Sequence, residues 1–313
     1  MTRVVVTGGA GFIGSHLVEH LLAQGCQVAV IDNFSTGRRE NLQPFWSQVV
    51  LHELDLQNLP AVRQAVEGVE YVFHQAALPS VPRSLANPLE THQANATSTL
   101  NLLIAAKDAG VKRVIYAGSS SAYGDTNALV KTEDLLPQPI SPYGVTKLTG
   151  EHYCRAFYEC YGLETVTLRY FNVFGPRQDP RSAYTGVMAL FIPQMLQDQP
   201  PTIFGDGSAT RDFTFVKNNV HANGLAMTEP AAAGEVLNIA CGRSIRVIEI
   251  VEAINRILGK NLQPRFAPAR PGDIQHSCSS IAKAQRVLHY QPLVDFEEGL
   301  RETIAWYRRE LGL

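Results

Sequence analysis

Tyr143 and Lys147 stand four residues apart in Ser141-Pro142-Tyr143-Gly144-Val145-Thr146-Lys147. A serine followed by proline reads as an N-cap and first helical position, so a helix is predicted to start here. Residues i and i+4 are then neighbours on one face. A lysine ammonium beside a phenol favours the phenolate and lowers its pKa from about 10 toward neutrality, as a general base requires. The same spacing also arises from a packed tyrosine and a solvated lysine, so the surroundings must decide. Those surroundings include a serine-rich strand end, Gly118-Ser119-Ser120-Ser121-Ala122-Tyr123-Gly124, a short way upstream.

The second chemical stretch is Val4-Val5-Val6-Thr7-Gly8-Gly9-Ala10-Gly11-Phe12-Ile13-Gly14-Ser15-His16. A β-branched run meets three spaced glycines, Gly8, Gly11 and Gly14, and an apolar helical pattern follows. Strand, tight turn and helix N-terminus in that order suit a pyrophosphate, which is drawn by free N–H groups and the helix dipole. The next strand-like run, Val28-Ala29-Val30-Ile31, ends in Asp32. An acid about 20 residues past the glycines is where the ribose of NAD is held. The turn-rich segment Asn33-Phe34-Ser35-Thr36-Gly37-Arg38-Arg39 lies beside that ribose, and Asp55 ends a third strand-like run, Val49 to Leu54. Open parallel sheets bind their ligands at that edge.

These motifs need strands that alternate with helices. Runs at Val69–Phe73, Arg113–Ala117 and Glu164–Arg169 supply further strands. Helical patterns are expected over Pro60–Val66, over Leu89–Ala109 with Asn95 on it, and from Pro142 to about Tyr161. The alternation predicts an α/β fold: a Rossmann-type doubly wound parallel sheet. His74-Gln75-Ala76-Ala77 follows the fourth strand, and its small residues let a flat ring or ribose lie against the backbone. Leu78 to Pro88 is expected as a loop carrying Ser80 and Arg83.

Alternation stops after Tyr170-Phe171-Asn172. Residues 1–172 are therefore expected to form the dinucleotide-binding domain, with 216–241 returning to it. Residues 173–215 and 242–313 are expected to build a smaller α/β substrate lobe. Two helical stretches, Ile248–Leu258 and Phe296–Leu311, flank the loop Arg270-Pro271-Gly272-Asp273, and Arg211 and Arg270 are candidates to meet an anionic ligand.

Composition narrows the class. The 313 residues carry 27 Lys+Arg against 29 Asp+Glu, so bulk charge points to neither nucleic acid nor an acidic membrane. No apolar run approaches the ~20 residues of a membrane span. The first strand begins so early that no signal peptide is expected. Five cysteines, Cys26, Cys154, Cys160, Cys241 and Cys278, have no paired spacing. Free thiols in a reducing compartment, no metal site and a cytoplasmic location are the expectation.

Taken together, Thr7–Gly14, Asp32-Asn33, Asp55-Leu56, His74–Ala77, Tyr143-x-x-x-Lys147 and Arg169–Asn172 resemble the extended short-chain dehydrogenase/reductases over essentially the whole chain. The glycine pattern is G-x-x-G-x-x-G, as is usual in that family. Within it, the sequence is most similar to nucleotide-sugar 4-epimerases, above all the bacterial UDP-N-acetylglucosamine 4-epimerases. His74–Ser84, Ser119–Gly124, Arg177-Gln178-Asp179-Pro180 and Arg270–Asp273 carry that closer match.

The resemblance implies NAD as cofactor. It assigns Asp32 to the adenosine ribose, Asp55 and Leu56 to the adenine, and Tyr143 and Lys147 to the nicotinamide ribose. Gly8, Gly11, Phe12, Ile13, Gly14, Asn33, Ser35, Thr36, Gly37, Gln75, Ala76, Ala77, Asn95 and Tyr170 complete the implied cofactor contacts. Ser119, four residues before Tyr123, falls on the catalytic serine. Asn172, Val187, Thr202, Phe204, Arg211, Arg270 and Asp273 match positions that hold UDP. Ser80, Val81, Arg83, Ser120 and Ser277 are the implied sugar-side contacts. A homodimer is also implied, with the long helices from Leu89 and Pro142 pairing across a two-fold axis as a four-helix bundle.

Relatives with other activities frame the expectation. The 4,6-dehydratases carry Asp-Glu after the catalytic Ser/Thr, where this chain has Ser120-Ser121 and no acid–base pair. UDP-glucuronate decarboxylases share most cofactor motifs. A non-catalytic NAD-binding scaffold would typically have lost the Tyr or Lys, whereas Ser119, Tyr143 and Lys147 are all present.

Overall fold

A computed structural model describes residues 1–126, 128–180, 186–269 and 275–313. Seven strands form the main sheet. They are β1 (Arg3–Thr7), β2 (Gln27–Asp32), β3 (Val49–Glu53), β4 (Tyr71–His74), β5 (Arg113–Ser119), β6 (Glu164–Tyr170) and β7 (Val236–Ile239). They lie in the order β3-β2-β1-β4-β5-β6-β7, and every pairing is parallel. A parallel sheet is covered on both faces, and β5 accordingly buries all seven of its residues. Chain order reverses between β1 and β4, so the ligand crevice of a doubly wound sheet opens above their C-terminal ends.

Helix α1 (Phe12–Ala23) follows β1, and α2 (Leu59–Ala65) follows β3. The stretch expected as a loop after β4 contains α3 (Val81–Ala86), capped by Ser80, whose Oγ accepts from Arg83 N at 3.0 Å. The long helix expected from Leu89 is broken into α4 (Pro88–His92), a π-helical turn (Gln93–Thr97) and α5 (Ser98–Asp108). The break has a local cause. Asn95 turns inward, accepting from Leu78 N at 2.8 Å and donating to Thr146 Oγ1 at 3.0 Å. The extra residue of a π turn accommodates such an insertion.

Helix α6 (Pro142–Tyr161) carries the Tyr–Lys pair. Ser141 caps it, accepting from Gly144 N at 3.1 Å, and Gly162 ends it with φ +70°. Its inner face is fixed to the sheet by hydrogen bonds and an ion pair. Tyr116 of β5 donates to the Lys147 carbonyl at 3.2 Å, and Gly150 makes room, since a Cβ there would lie 2.3 Å from the Tyr116 oxygen. Glu151 of α6 forms a buried two-point ion pair with Arg169 of β6.

Past β6, helices α7 (Val187–Leu196), α9 (Val247–Leu258) and α11 (Phe296–Glu310) pack around Phe174, Phe213 and Phe215. Three short strand pairs edge this cluster: 173–174 with 214–215, 202–204 with 265–267, and 210–211 with 245–246. Between these elements, α8 (Val216–Thr228) packs against α1 and leads into β7. Helix α10 (Ala282–Leu288) packs back on the main sheet through Ala284 and Leu288, and Tyr290 just after it joins the same core. Among the described residues, no helix is long and apolar enough to cross a membrane.

Candidate active site

The crevice is built from strand ends. After β1 the chain turns at Gly8 with φ +68°, and a Cβ there would lie 2.8 Å from the Ala76 backbone. At Gly14 a Cβ would lie 2.1 Å from the Gly8 carbonyl oxygen, so turn and helix can close together only with glycine at both places. Helix α1 starts at Gly11 with no side-chain cap and no acid in its first turn. Its N-terminal N–H groups and dipole face the crevice, and Phe12 and Ile13 form the first turn.

Asp32 ends β2 and is almost wholly buried. Its carboxylate accepts from Ala10 N at 2.9 Å and Phe34 N at 2.8 Å, fixing it beside the glycine turn. Burial raises its pKa, and the two backbone bonds act the other way. Gly37 packs against the same carboxylate, where a Cβ would come within 2.8 Å. Asn33 donates to Asp55 Oδ2 at 2.9 Å, joining the ends of β2 and β3, with Leu56 buried beneath and Ser35 and Thr36 exposed. This half of the crevice can hold two ribose hydroxyls and a flat base while leaving the phosphates to the helix.

After β4, Ala76 N donates to Thr7 Oγ1 at 3.2 Å. The hydroxyls of Thr7 and Thr99 bracket the His74 ring at 2.8 Å each, and burial pushes its pKa down to about 3, so the ring is neutral. Gln75 donates to Tyr170 Oη and to Asn223 Oδ1, each at 3.2 Å. Asn223 of α8 in turn donates to Tyr170 Oη at 2.6 Å. Burial holds the Tyr170 phenol up at about 12, a neutral donor at the end of β6. Ala77 is half-buried beside this network. Asn95 uses its amide within the protein, as described above.

Ser119, Tyr143 and Lys147 meet at the end of β5. The Ser119 side chain hydrogen-bonds the Tyr143 phenol and also accepts from Ser121 N at 3.1 Å. Lys147 is buried and donates to the Ala117 carbonyl at 2.9 Å. Burial, with no carboxylate paired to it, brings its ammonium down to about 8. The sequence led us to expect that Lys147 would depress the Tyr143 phenol. In the chain alone burial raises that phenol, and only the Ser119 bond acts downward. A further positive charge beside the phenol would favour the phenolate.

The expected substrate contacts fall on the other side. Asn172 donates to the Asp212 carbonyl at 3.2 Å, and Thr214 N donates back to the Asn172 carbonyl at 3.1 Å. Arg211 donates to the carbonyls of Thr210 and Gln275, and Ser277 N donates to the Thr210 carbonyl at 3.1 Å. Arg211 and Ser277 are thereby drawn to one place, with Ser277 buried. Val187 starts α7, and Thr202 and Phe204 lie on the 202–204 strand. Ser80 and Val81 stand at the start of α3, where Arg83 pairs with Glu90 at 2.6 Å. Ser120 follows β5 directly and is half-buried. Arg270 and Asp273 lie outside the described residues.

Two side chains escaped the sequence reading. Asp212 is buried and accepts from Cys241 N at 3.0 Å and Ser279 N at 3.3 Å, with Gly242 and Arg243 N–H groups also turned to it. Asn223 completes the Tyr170 network. Neither sits in a motif. No group of three or more His, Cys, Asp or Glu side chains that could hold a metal occurs among the described residues.

A glycine cradle that excludes any Cβ, an uncapped helix N-terminus and a buried acid at the end of β2 fit a dinucleotide. The pattern of the NAD dependent epimerase/dehydratase family matches residues 4–240. The chain belongs to that family. It is an NAD-dependent enzyme, and UDP-sugar 4-epimerases are among its relatives. A putative UDP-glucose 4-epimerase of Methanocaldococcus jannaschii is 35% identical over 308 residues, which are 97% of this chain and 98% of the relative. The structure of a UDP-glucose 4-epimerase of Thermotoga maritima with UDP-glucose matches with a TM-score of 0.94 and 38% identity, covering 99% of this chain and 100% of that one. A UDP-N-acetylglucosamine 4-epimerase of Methanobrevibacter ruminantium M1, in complex with UDP-N-acetylmuramic acid, matches with a TM-score of 0.94 and 40% identity over 99% of both chains.

Proposed function

We propose that this epimerase/dehydratase-family enzyme interconverts UDP-GlcNAc and UDP-GalNAc through a 4-keto sugar, with NAD held tightly and UDP-Glc and UDP-Gal as poorer substrates. NAD, which the glycine turn, the start of α1 and Asp32 would hold, would supply reversible hydride transfer at C4 of the sugar, with no net redox. Tyr143 takes the proton of the 4-hydroxyl and gives it back. Ser119 hydrogen-bonds the same oxygen and holds the phenol in line. Lys147, tied to the Ala117 carbonyl, fixes the nicotinamide ribose. The Tyr143 phenolate would be favoured by the positive charge of an oxidised nicotinamide held beside it. The UDP moiety is assigned to the 173–215 and 242–313 lobe, with Asn172 and Arg211 among its contacts.

Ser277 carries the choice of sugar. It lies four residues after Asp273, at the position that in such epimerases stands beside the C2 substituent, and it is small and buried. A tyrosine there restricts the pocket to a 2-hydroxyl, whereas a serine leaves room for an acetamido group. Ser120 is assigned to hydrogen-bond that group. Adding a ring to a filled pocket costs about 1–3 kcal/mol or more.

The test is to incubate the protein separately with UDP-GlcNAc, UDP-Glc and UDP-GlcNAcA and resolve the products. UDP-GalNAc should form fastest, and Ser277→Tyr should lose at least tenfold on the acetamido sugars while sparing UDP-Gal. Turnover of the 6-carboxylate sugar alone, or equal loss on both pairs, overturns the assignment. The enzyme is further assigned to the cytoplasm and to a homodimer. Apolar side chains on α3, α4 and the start of α6, including Leu85, Leu89 and Val145, are exposed in the single chain, as a two-fold partner would require.

A further inference from the structure

Lys131 lies between the Ser119 strand and the Tyr143 helix, in a segment that no motif covers. Only 1% of its surface is exposed, which places it among the largest fully buried side chains of the protein. Its backbone is held from both sides of the seam between the main sheet and the 275–280 segment. Lys131 N donates to the Cys278 carbonyl at 2.9 Å, and Ser280 N donates to the Lys131 carbonyl at 2.9 Å. Asn238 of β7 also donates to that carbonyl at 3.2 Å, while accepting from Tyr123 Oη at 2.7 Å. The side chain is thereby anchored two strand positions from Ser277 and close to Arg211.

Among the described residues the Lys131 ammonium makes no hydrogen bond and no ion pair. It is not one of the sealed interior atoms that lack a partner, which belong to Arg169, Gln178, Thr214 and Asn219. A lysine ammonium carries three donors and no acceptor, and burying one unpaired is costly. The charges it feels are Arg211, which disfavours its protonated form, and Asp125, which favours it without pairing. Burial acts more strongly still in the same direction as Arg211. An anion placed against it would meet two cations and relieve both effects.

We propose that the Lys131 ammonium is a ligand for an anionic oxygen of the nucleotide sugar, bound at the seam beside Arg211 and Ser277. The anion is a phosphate oxygen of the diphosphate or a carboxylate on the hexose; both present the same acceptor to a buried lysine. Lys131 is then a binding and specificity residue, and its cost to the empty protein is the sign of that role. The proposal rests on the UDP-sugar reading above.

Calorimetric titration of the NAD-loaded wild type and Lys131→Met with UDP, UDP-glucose and UDP-glucuronate tests it, together with thermal melting of both proteins without nucleotide. Lys131→Met should melt no lower than the wild type. It should bind all three nucleotides at least tenfold more weakly if the diphosphate is the anion, or UDP-glucuronate alone more weakly if the carboxylate is. Lys131→Gln, read in the same way, serves if the methionine variant does not fold. A variant that binds all three as the wild type does overturns the proposal. A wild type that binds none of the three overturns the UDP-sugar reading instead, and this assignment with it.

Discussion

Through its hydrogen bond, Ser119 eases ionisation of the Tyr143 phenol, against the burial that raises it. Removing its hydroxyl must raise the phenol further. Ser119→Ala is therefore expected to move the rising limb of the kcat/KM–pH profile to higher pH, since the base must lose its proton to act. Turnover near pH 7 should fall by roughly 10²-fold, the scale of losing one hydrogen bond to the reacting oxygen. A profile that keeps its limb while dropping in height would mean that Ser119 contacts only the sugar. The spacing of Tyr143 and Lys147 was legible in the sequence because four residues make one helical turn. What Lys147 does there was not legible, since it depends on which carbonyl the helix brings within reach.

At the scale of elements, Asp212 does for the substrate side what the glycines do for the cofactor side. Its carboxylate collects backbone N–H groups from the 241–243 turn and from Ser279, so it holds the chain on which Ser277 sits. Burial raises its pKa from 3.8 to about 6. Between those values the folded protein keeps a proton that the unfolded chain has lost, so this group's contribution to stability falls as pH rises from about 4 to 6. Asp212→Asn should cost roughly 1–3 kcal/mol through unpaired N–H groups. The deficit should be larger at pH 4.5 than at pH 7 in urea denaturation. A deficit independent of pH would show that the carboxyl is ionised throughout.

Elements with a polar face were readable from periodicity, as α6 and α9 were. Helix α7 was not, because Met188, Ala189, Phe191, Ile192, Met195 and Leu196 are all buried and leave little polar stripe to mark it. The π turn at Asn95 escaped for a different reason: its cause is a contact with Leu78 and Thr146, which are distant in sequence.

At the scale of the molecule, the doubly wound parallel sheet followed from alternation, whereas the far lobe, built from short strands and an aromatic cluster, carried no comparable signal. The homodimer is tested here. Leu89→Glu combined with Val145→Glu, both on exposed positions, should convert a dimer to a monomer in sedimentation at micromolar concentration without lowering the melting temperature of the single chain. A wild type that already sediments as a monomer removes the assignment.

The return of the chain to its own sheet has a consequence for how the molecule is made. Strand β7 pairs with β6 only after about 65 intervening residues have left the sheet and come back. At ~5–20 residues per second of synthesis, β6 waits several seconds with an open edge of unpaired backbone. That pairing also closes one of the longest loops in the protein, a step that slows folding because its entropy is lost before any contact is gained. The edge of β6 is thus the surface a nascent chain most needs to keep from other chains, and the last strand doubles as its cover.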